Sequence, residues 1–274
     1  MRRRIDELIR KWSLLIEETI ETESSVLAFG VRVNQPIVLK VIKSEGDEWN
    51  SGNILAAFAG RGVVRVHEYV PGAVLLERAV PGESLVRRAI DGSDQDATAI
   101  VADVIGRMSA LDPPEGRATV QDWAKGFERS LATGDQRIPT DLVMEAQQSY
   151  LELAASQTKT RLLHGDLHHY NVLSDAQRGW LAIDPKGVVG EIEYEVGALF
   201  RNPIEDTDLF TSGATIQKRL DVLERELDLD SGRALRWTFA QAVLSAIWTV
   251  EDGHPIEATT SFIRLAHAVR TMLR

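Results

Sequence analysis

The chain of 274 residues contains no cysteine. That excludes a disulfide framework and thiolate chemistry, and it suits a reducing compartment such as the cytoplasm. No apolar run approaches the length needed to cross a bilayer. The first residues, Met1-Arg2-Arg3-Arg4, are basic, but Asp6 and Glu7 follow at once. Without a continuous apolar stretch or a small-residue cleavage site behind them, a secretory leader is not expected. Positive charge is in short supply: 31 Lys and Arg stand against 41 Asp and Glu, a formal net charge of −10. This argues against nucleic acid as a partner, because phosphate backbones need basic patches. It would attract a cationic small molecule, although net negative charge also simply keeps proteins in solution. The pattern Gly-x4-Gly-Lys-Ser/Thr is missing, and Gly60-Arg61-Gly62 lacks the third glycine and the preceding strand of a dinucleotide fingerprint. No Gly-x-Ser-x-Gly elbow supports a hydrolase. Repeats and low-complexity tracts are absent too. What remains, 44% apolar and 26% charged residues, is an ordinary globular composition with length for one large domain or two lobes.

The informative stretch is Arg161-Leu162-Leu163-His164-Gly165-Asp166-Leu167-His168-His169-Tyr170-Asn171-Val172-Leu173, followed after a turn by Trp180-Leu181-Ala182-Ile183-Asp184. Each polar cluster is flanked by a short apolar run, the pattern of short strands with a loop between them. That places Asp166, Asn171 and Asp184 together at strand ends. A carboxylate, an amide oxygen and a second carboxylate suit a hard, oxygen-liganded cation such as Mg²⁺, with one carboxylate left free. ATP-dependent phosphoryl transfer needs such a set: one group to orient the attacking hydroxyl, and two ligands to hold Mg²⁺ on the phosphates. The Asp166–Asn171 interval equals that of Asp and Asn in the protein-kinase catalytic loop. His164 and His168 have H-x3-H spacing, but the intervening Gly165-Asp166 opposes a helix and nothing nearby supports zinc. Both rings are expected to pack under the loop and hydrogen-bond it into shape, with His169 and Tyr170 exposed.

These residues, written His-Gly-Asp-Leu-His-x-x-Asn and then Ile-Asp, resemble the aminoglycoside phosphotransferase family. The run Asp184-Pro185-Lys186-Gly187-Val188-Val189-Gly190-Glu191 is similar to its streptomycin 6-kinase and hydroxyurea phosphotransferase branch. The resemblance implies an α+β, two-lobed protein-kinase-like fold, with a small N-terminal sheet lobe and a mostly helical C-terminal lobe. It implies ATP between the lobes, Mg²⁺ held by Asn171 and Asp184, and Asp166 as the catalytic residue at the acceptor hydroxyl. A short serine-bearing turn, loosely matched by Ser24 and Ser25, would take the place of the kinase glycine-rich loop. Backbone groups around Glu77 and Ala79 would meet the adenine edge.

Along the chain, Ile5, Leu8, Ile9, Trp12, Leu15 and Ile16 recur at helical spacing, predicting a helix over 5–20 with Trp12 in packing. Residues 22–33 and 37–43 read as strands around Asn34-Gln35-Pro36. Lys40 lies within the second, where a buried ammonium must find anions. Phosphate oxygens and Glu48, in the first turn of a helix over 47–59, are the expected partners. Lys43 is the alternative, but strand alternation sends it to the opposite face. Two more strands flank Pro71-Gly72, and the hinge falls near Val80, dividing the chain into residues 1–79 and 80–274. Helical spacing then marks 96–111, stopped by Asp112-Pro113-Pro114-Glu115-Gly116. It marks a segment through Val120, Trp123, Phe127 and Leu131, then 139–157, and finally 215–227, 231–250 and 256–273. Asp230 or Ser231 is the expected cap of the 231–250 helix.

Asp184 is followed by Pro185-Lys186 rather than Phe-Gly, and no Ala-Pro-Glu segment appears. A small-molecule acceptor is therefore favoured over a protein. Glu191, Glu193 and Glu195 are the expected acids for a cationic aminoglycoside, Glu191 and Glu193 sharing one face of an extended stretch. The expected protein is a cytoplasmic resistance enzyme, monomer or weak dimer, with no membrane partner. The rival enzyme is a kinase of hydroxyurea or another small neutral alcohol or sugar. The rival of another class is a catalytically inactive nucleotide-binding module.

Overall fold

The computed structural model describes residues 1–108 and 116–274, apart from the side chain of Asp47. The expected helix end at Leu111 and the stop at Asp112 to Glu115 lie outside the described residues.

Helix α1 (Arg2–Trp12) ends where Ser13 turns left-handed, at φ 55°. The remainder of the expected 5–20 helix is instead strand β1 (Leu15–Glu21). It pairs antiparallel with β2 (Ser25–Arg32), and this tertiary pairing overrides a periodicity that also fits a helix. A tight turn with Val33 and Asn34 at positive φ leads into β3 (Gln35–Ile42). After α2 (Ser51–Ala57) come β4 (Val66–Val70) and β5 (Ala73–Glu77), completing a five-stranded sheet in the order β1-β2-β3-β5-β4.

Alternation along β3 divides its residues between two surroundings. Ile37, Leu39 and Val41 join Leu8 and Trp12 of α1 in one apolar cluster. Val38 and Lys40 face the other way and line a cavity, with Leu27, Phe29, Val74 and Leu76 from the neighbouring strands. The cavity measures about 500 Å³.

Beyond Ala79 the chain enters β6 (Pro81–Ser84), which pairs with β8 (Val172–Asp175) rather than with the first sheet. Strand β9 (Gly179–Ala182) completes that three-stranded sheet, and β7 (Arg161–Leu163) pairs with β10 (Val188–Gly190). Helices dominate this part: α3 (Val86–Arg88), α4 (Asp94–Met108), α5 (Val120–Trp123), α6 (Lys125–Thr133) and α7 (Thr140–Ala155) precede the catalytic strands. Behind them follow α8 (Ile192–Glu195), α9 (Gly197–Phe200), α10 (Thr207–Thr211), α11 (Gly213–Leu227), α12 (Ser231–Glu251) and α13 (Thr260–Met272). Asp230 caps α12 by accepting from Arg233 N–H at 2.9 Å. Helix α12 is buried along most of its length, and Trp237 packs edge-on against Tyr150 and Tyr194 with centroids 4.9 Å away. This is an α+β protein-kinase-like fold, a sheet lobe followed by a mostly helical part.

Candidate active site

The loop between β7 and β8 presents Asp166, and the segment after β9 presents Asp184. His164 ties the two together. Its Nε2 donates to the Ile183 carbonyl at 2.8 Å, while Nδ1 accepts from Asp166 N–H at 3.2 Å. Acceptance at Nδ1 requires a neutral ring, and full burial pushes the His164 pKa down to about 4. Asn171 Nδ2 donates to the Asp166 carbonyl at 2.9 Å, which turns its amide oxygen the other way. Asp184 adopts a left-handed backbone at φ 61°, a conformation that Asp tolerates better than most residues. Its carboxylate pairs with the Lys40 ammonium.

Lys40 is 8% exposed and also pairs with Glu48 Oε2 at 3.0 Å. Lys40 lines the cavity, whereas Lys43, just past β3, meets Glu21 at 2.6 Å. Glu48 has a second cation, Lys186, with Nζ 3.1 Å from Oε1. Burial alone would raise the Glu48 pKa, but the two ammonium groups outweigh it and hold the carboxyl below its ordinary value. Lys186 also lies within the electrostatic reach of Asp166 and Asp184.

Asp166 is held by Arg201, whose Nη2 donates to Oδ1 at 2.8 Å, and by His168, whose Nε2 lies 3.6 Å from Oδ2. Burial pushes its pKa up. His168 and Arg201 push harder, and the carboxyl stays well below the usual carboxylate range. Sequence reasoning missed Arg201, which stands far along the chain with no motif around it. It also gave no role to Lys186, quoted above within the run that carries the resemblance and as a departure from Phe-Gly.

Ser24, Ser25, Glu77 and Ala79 all line the cavity, together with Lys40 and Asp184. The Ser25 hydroxyl lies 3.0 Å from Thr22 Oγ1 within the β1–β2 turn. Glu77 donates its N–H to the Arg65 carbonyl at 3.0 Å, and its carboxylate pairs with Arg178, away from the catalytic loop.

Three expectations need correction. Residues 192–195 form helix α8 rather than an extended stretch, so Glu191 and Glu193 do not share a strand face. Glu191 is 4% exposed and is held by Arg233 at 2.5 Å and by the Trp237 indole N–H. Glu193 accepts from Asp230 N–H at 3.4 Å, at the start of α12. Glu195 is 2% exposed and accepts from His164 N–H at 2.6 Å and Gly165 N–H at 2.9 Å, so it braces the catalytic loop from beneath. Burial pushes its pKa up to about 7 against the pull of those two N–H groups. Glu191 and Glu195 are thus engaged within the fold, while Glu193 is partly exposed. Finally, His169 is fully buried rather than exposed, kept neutral by burial and the nearby Arg219 cation. Tyr170 is partly buried, and its hydroxyl bonds Glu205.

A sheet lobe closing a cavity over a buried lysine, and a loop carrying Asp166 and Asn171 tied to the segment that presents Asp184, define the class: a protein-kinase-like phosphotransferase. The family model described as aminoglycoside/hydroxyurea antibiotic resistance kinase matches residues 11–253. The chain belongs to that family and is a small-molecule phosphotransferase. It is 32% identical to a streptomycin 3''-kinase of Klebsiella pneumoniae, over 89% of this chain and 92% of the relative. It is 31% identical to a hydroxyurea phosphotransferase of Kitasatospora aureofaciens, over 82% and 71%. Among solved structures, a thermostable mutant of aminoglycoside phosphotransferase APH(4)-Ia, in ternary complex with ADP and hygromycin B, superposes with a TM-score of 0.69. The match covers 97% of both chains at 18% identity, a likeness of fold.

Proposed function

We propose that the protein transfers the γ-phosphoryl group of ATP to a hydroxyl of a small cationic antibiotic of the streptomycin kind. The observation that carries the reading is that Lys40 and Asp184 pair at the cavity, while Asn171 and His164 tie the Asp166 loop to Ile183, next to Asp184, in a chain of this family. The lobes divide at about Val80, so residues 1–79 and 80–274 enclose the nucleotide; the change of sheet partner at β6 supports this. Glu77 and Ala79 meet the adenine edge, and Ser24 and Ser25 lie toward the phosphates. The Asn171 amide oxygen and the Asp184 carboxylate are hard donors that fit Mg²⁺, which keeps waters and phosphate oxygens as its other ligands. Bound there, the ion neutralises charge on the phosphates. Asp166, ionised, orients the acceptor hydroxyl and takes its proton late, while Arg201 fixes the carboxylate. Catalysis is then mostly positioning and charge stabilisation.

On the acceptor side, Trp123 borders Gly165: a Cβ added at that glycine would lie 3.1 Å from the indole. Trp248 packs edge-on against Trp123, with centroids 5.8 Å apart. Partly exposed aromatic faces beside the catalytic Asp suit a guanidinium or ammonium group. Hydroxyurea is the second reading, favoured by a relative nearly as similar as the streptomycin kinase. The enzyme would work in the cytoplasm, where ATP is available, as a monomer or weak dimer. Among the described residues no helix is long and apolar enough to cross a membrane.

The test is ADP release with Mg²⁺ and ATP against streptomycin, other aminoglycosides, hydroxyurea and simple sugars. Turnover of streptomycin, with KM raised in Trp123→Ala while that for ATP is kept, is the expected result. Turnover of hydroxyurea or a sugar alone would overturn the cationic acceptor.

A further inference from the structure

Three carboxylates meet at the cleft, Glu48, Asp166 and Asp184, and three cations answer them, Lys40, Arg201 and Lys186. Two of the cations are committed. Lys40 is buried between Glu48 and Asp184, and Arg201 holds Asp166. Lys186 is different. Its backbone is pinned, since Lys186 N–H and Gly187 N–H both donate to the His164 carbonyl, at 2.9 and 3.0 Å. Gly187 is pressed against α2: at φ 75°, an added Cβ would lie 2.6 Å from Ile54. The Lys186 side chain is 34% exposed, against 10% for Lys40, and among the described residues its one salt bridge runs to Glu48. A long, partly exposed ammonium on a rigid base therefore stands between the catalytic loop and the metal segment.

On the phosphate side of the cleft, the β1–β2 turn supplies Ser24 but few other donors. The β1–β2 turn has no glycine pattern, and the Ser25 hydroxyl is engaged with Thr22. Phosphoryl transfer spreads negative charge over the equatorial oxygens of the moving group, and fixed cations there stabilise the transition state.

We propose that Lys186 is a catalytic residue for the γ-phosphoryl group: when ATP binds, its ammonium exchanges Glu48 for γ-phosphoryl oxygens and stays on them through transfer. The inference rests on reading this cleft as the ATP site. In the step, the acceptor oxygen bonds to the γ-phosphorus, the bond to the bridging oxygen of ADP breaks, and the hydroxyl proton passes to Asp166. Lys186 forms no covalent bond and keeps its protons. Lys40, buried deeper, serves the inner phosphates, and Glu48 keeps Lys40 in place after Lys186 has moved.

The experiment compares wild type, Lys186→Met and Lys186→Arg by calorimetry with Mg²⁺ and either ADP or the non-hydrolysable AMP-PNP, alongside kcat. ADP lacks the γ-phosphoryl group, so its affinity should stay within about twofold in Lys186→Met. AMP-PNP affinity should fall on the order of tenfold, and kcat by roughly a hundredfold or more, as for loss of a transition-state donor. Lys186→Arg should recover part of both losses. An equal loss for ADP and AMP-PNP would mean that Lys186 acts only through Glu48 and Lys40, and would overturn the proposal. So would an unchanged kcat. Failure of wild type itself to bind either nucleotide would overturn the reading of the cleft and the proposal with it.

Discussion

At the scale of single residues, the site depends on which charges touch. Asp166 is held ionised by Arg201 and His168, so it needs no titration to act. Asp166→Asn keeps shape and removes the charge. We expect a folded protein with ATP binding retained and turnover lowered roughly a hundredfold or more, the scale of a positioned acid–base group. Steady-state kinetics beside nucleotide titration checks this; near-normal turnover would remove Asp166 from its role. Lys40→Ala should raise the KM for ATP or lower kcat, whereas Lys43→Ala, which loses only a surface pair with Glu21, should do little. The same assay in parallel decides between them. Lys40 was legible because strand alternation is a local rule. Arg201 was not, because nothing near it in sequence points to Asp166. Asp184 shares Lys40 with Glu48, so removing it should not stabilise the protein lacking nucleotide.

At the scale of elements, long helices and paired strands were legible and their handovers were not. The 139–157 and 231–250 patterns became α7 and α12 nearly unchanged, because long runs of helix-forming residues without Gly or Pro in their interior leave little ambiguity. The run after Trp12 fits helix and strand equally, and pairing with β2 decides it. The burial of Glu191 and Glu195 was not legible for the same reason. A short acidic stretch gives no sign of folding into α8, and so into the buried support of the catalytic loop. That support carries a pH signature. The Glu195 pKa is raised from 4.5 to about 7, so the folded protein holds this proton more tightly than the unfolded chain. Its contribution to stability is fully present below pH 4.5 and is lost as pH rises through about 7. Thermal melts of wild type and Glu195→Gln from acid to mildly alkaline pH should show the variant gaining on wild type across that window. A pH-independent difference would contradict the assignment. A second buried element contact, also invisible in sequence, joins α4 to α11. Arg219 is fully buried, donates to Asp94 at 2.6 Å and reaches the Leu199 and Asn202 carbonyls at 2.7 and 2.9 Å. Arg219→Ala leaves Asp94 buried and unpaired, and should cost about 3–5 kcal/mol in denaturant unfolding.

At the scale of the whole molecule, the fold places a sheet cavity above a loop of fixed charges, and the chain's length, charge and motif order anticipate that arrangement. The acceptor side proposed above was less legible, because Trp123 and Trp248 meet only once α5 and α12 are packed. The central claim is γ-phosphoryl transfer from ATP to a small hydroxyl, and the direct measurement is the fate of that phosphoryl group. The protein is incubated with Mg²⁺, streptomycin or hydroxyurea, and ATP carrying an isotopic label in the γ-phosphoryl group, and the acceptor is recovered and weighed by mass spectrometry. The account predicts a labelled monophosphate ester of the acceptor that forms with wild type and not with Asp166→Asn or Asp184→Ala. Label released only as free phosphate, or an equal yield of ester from the Asp166→Asn protein, would contradict it.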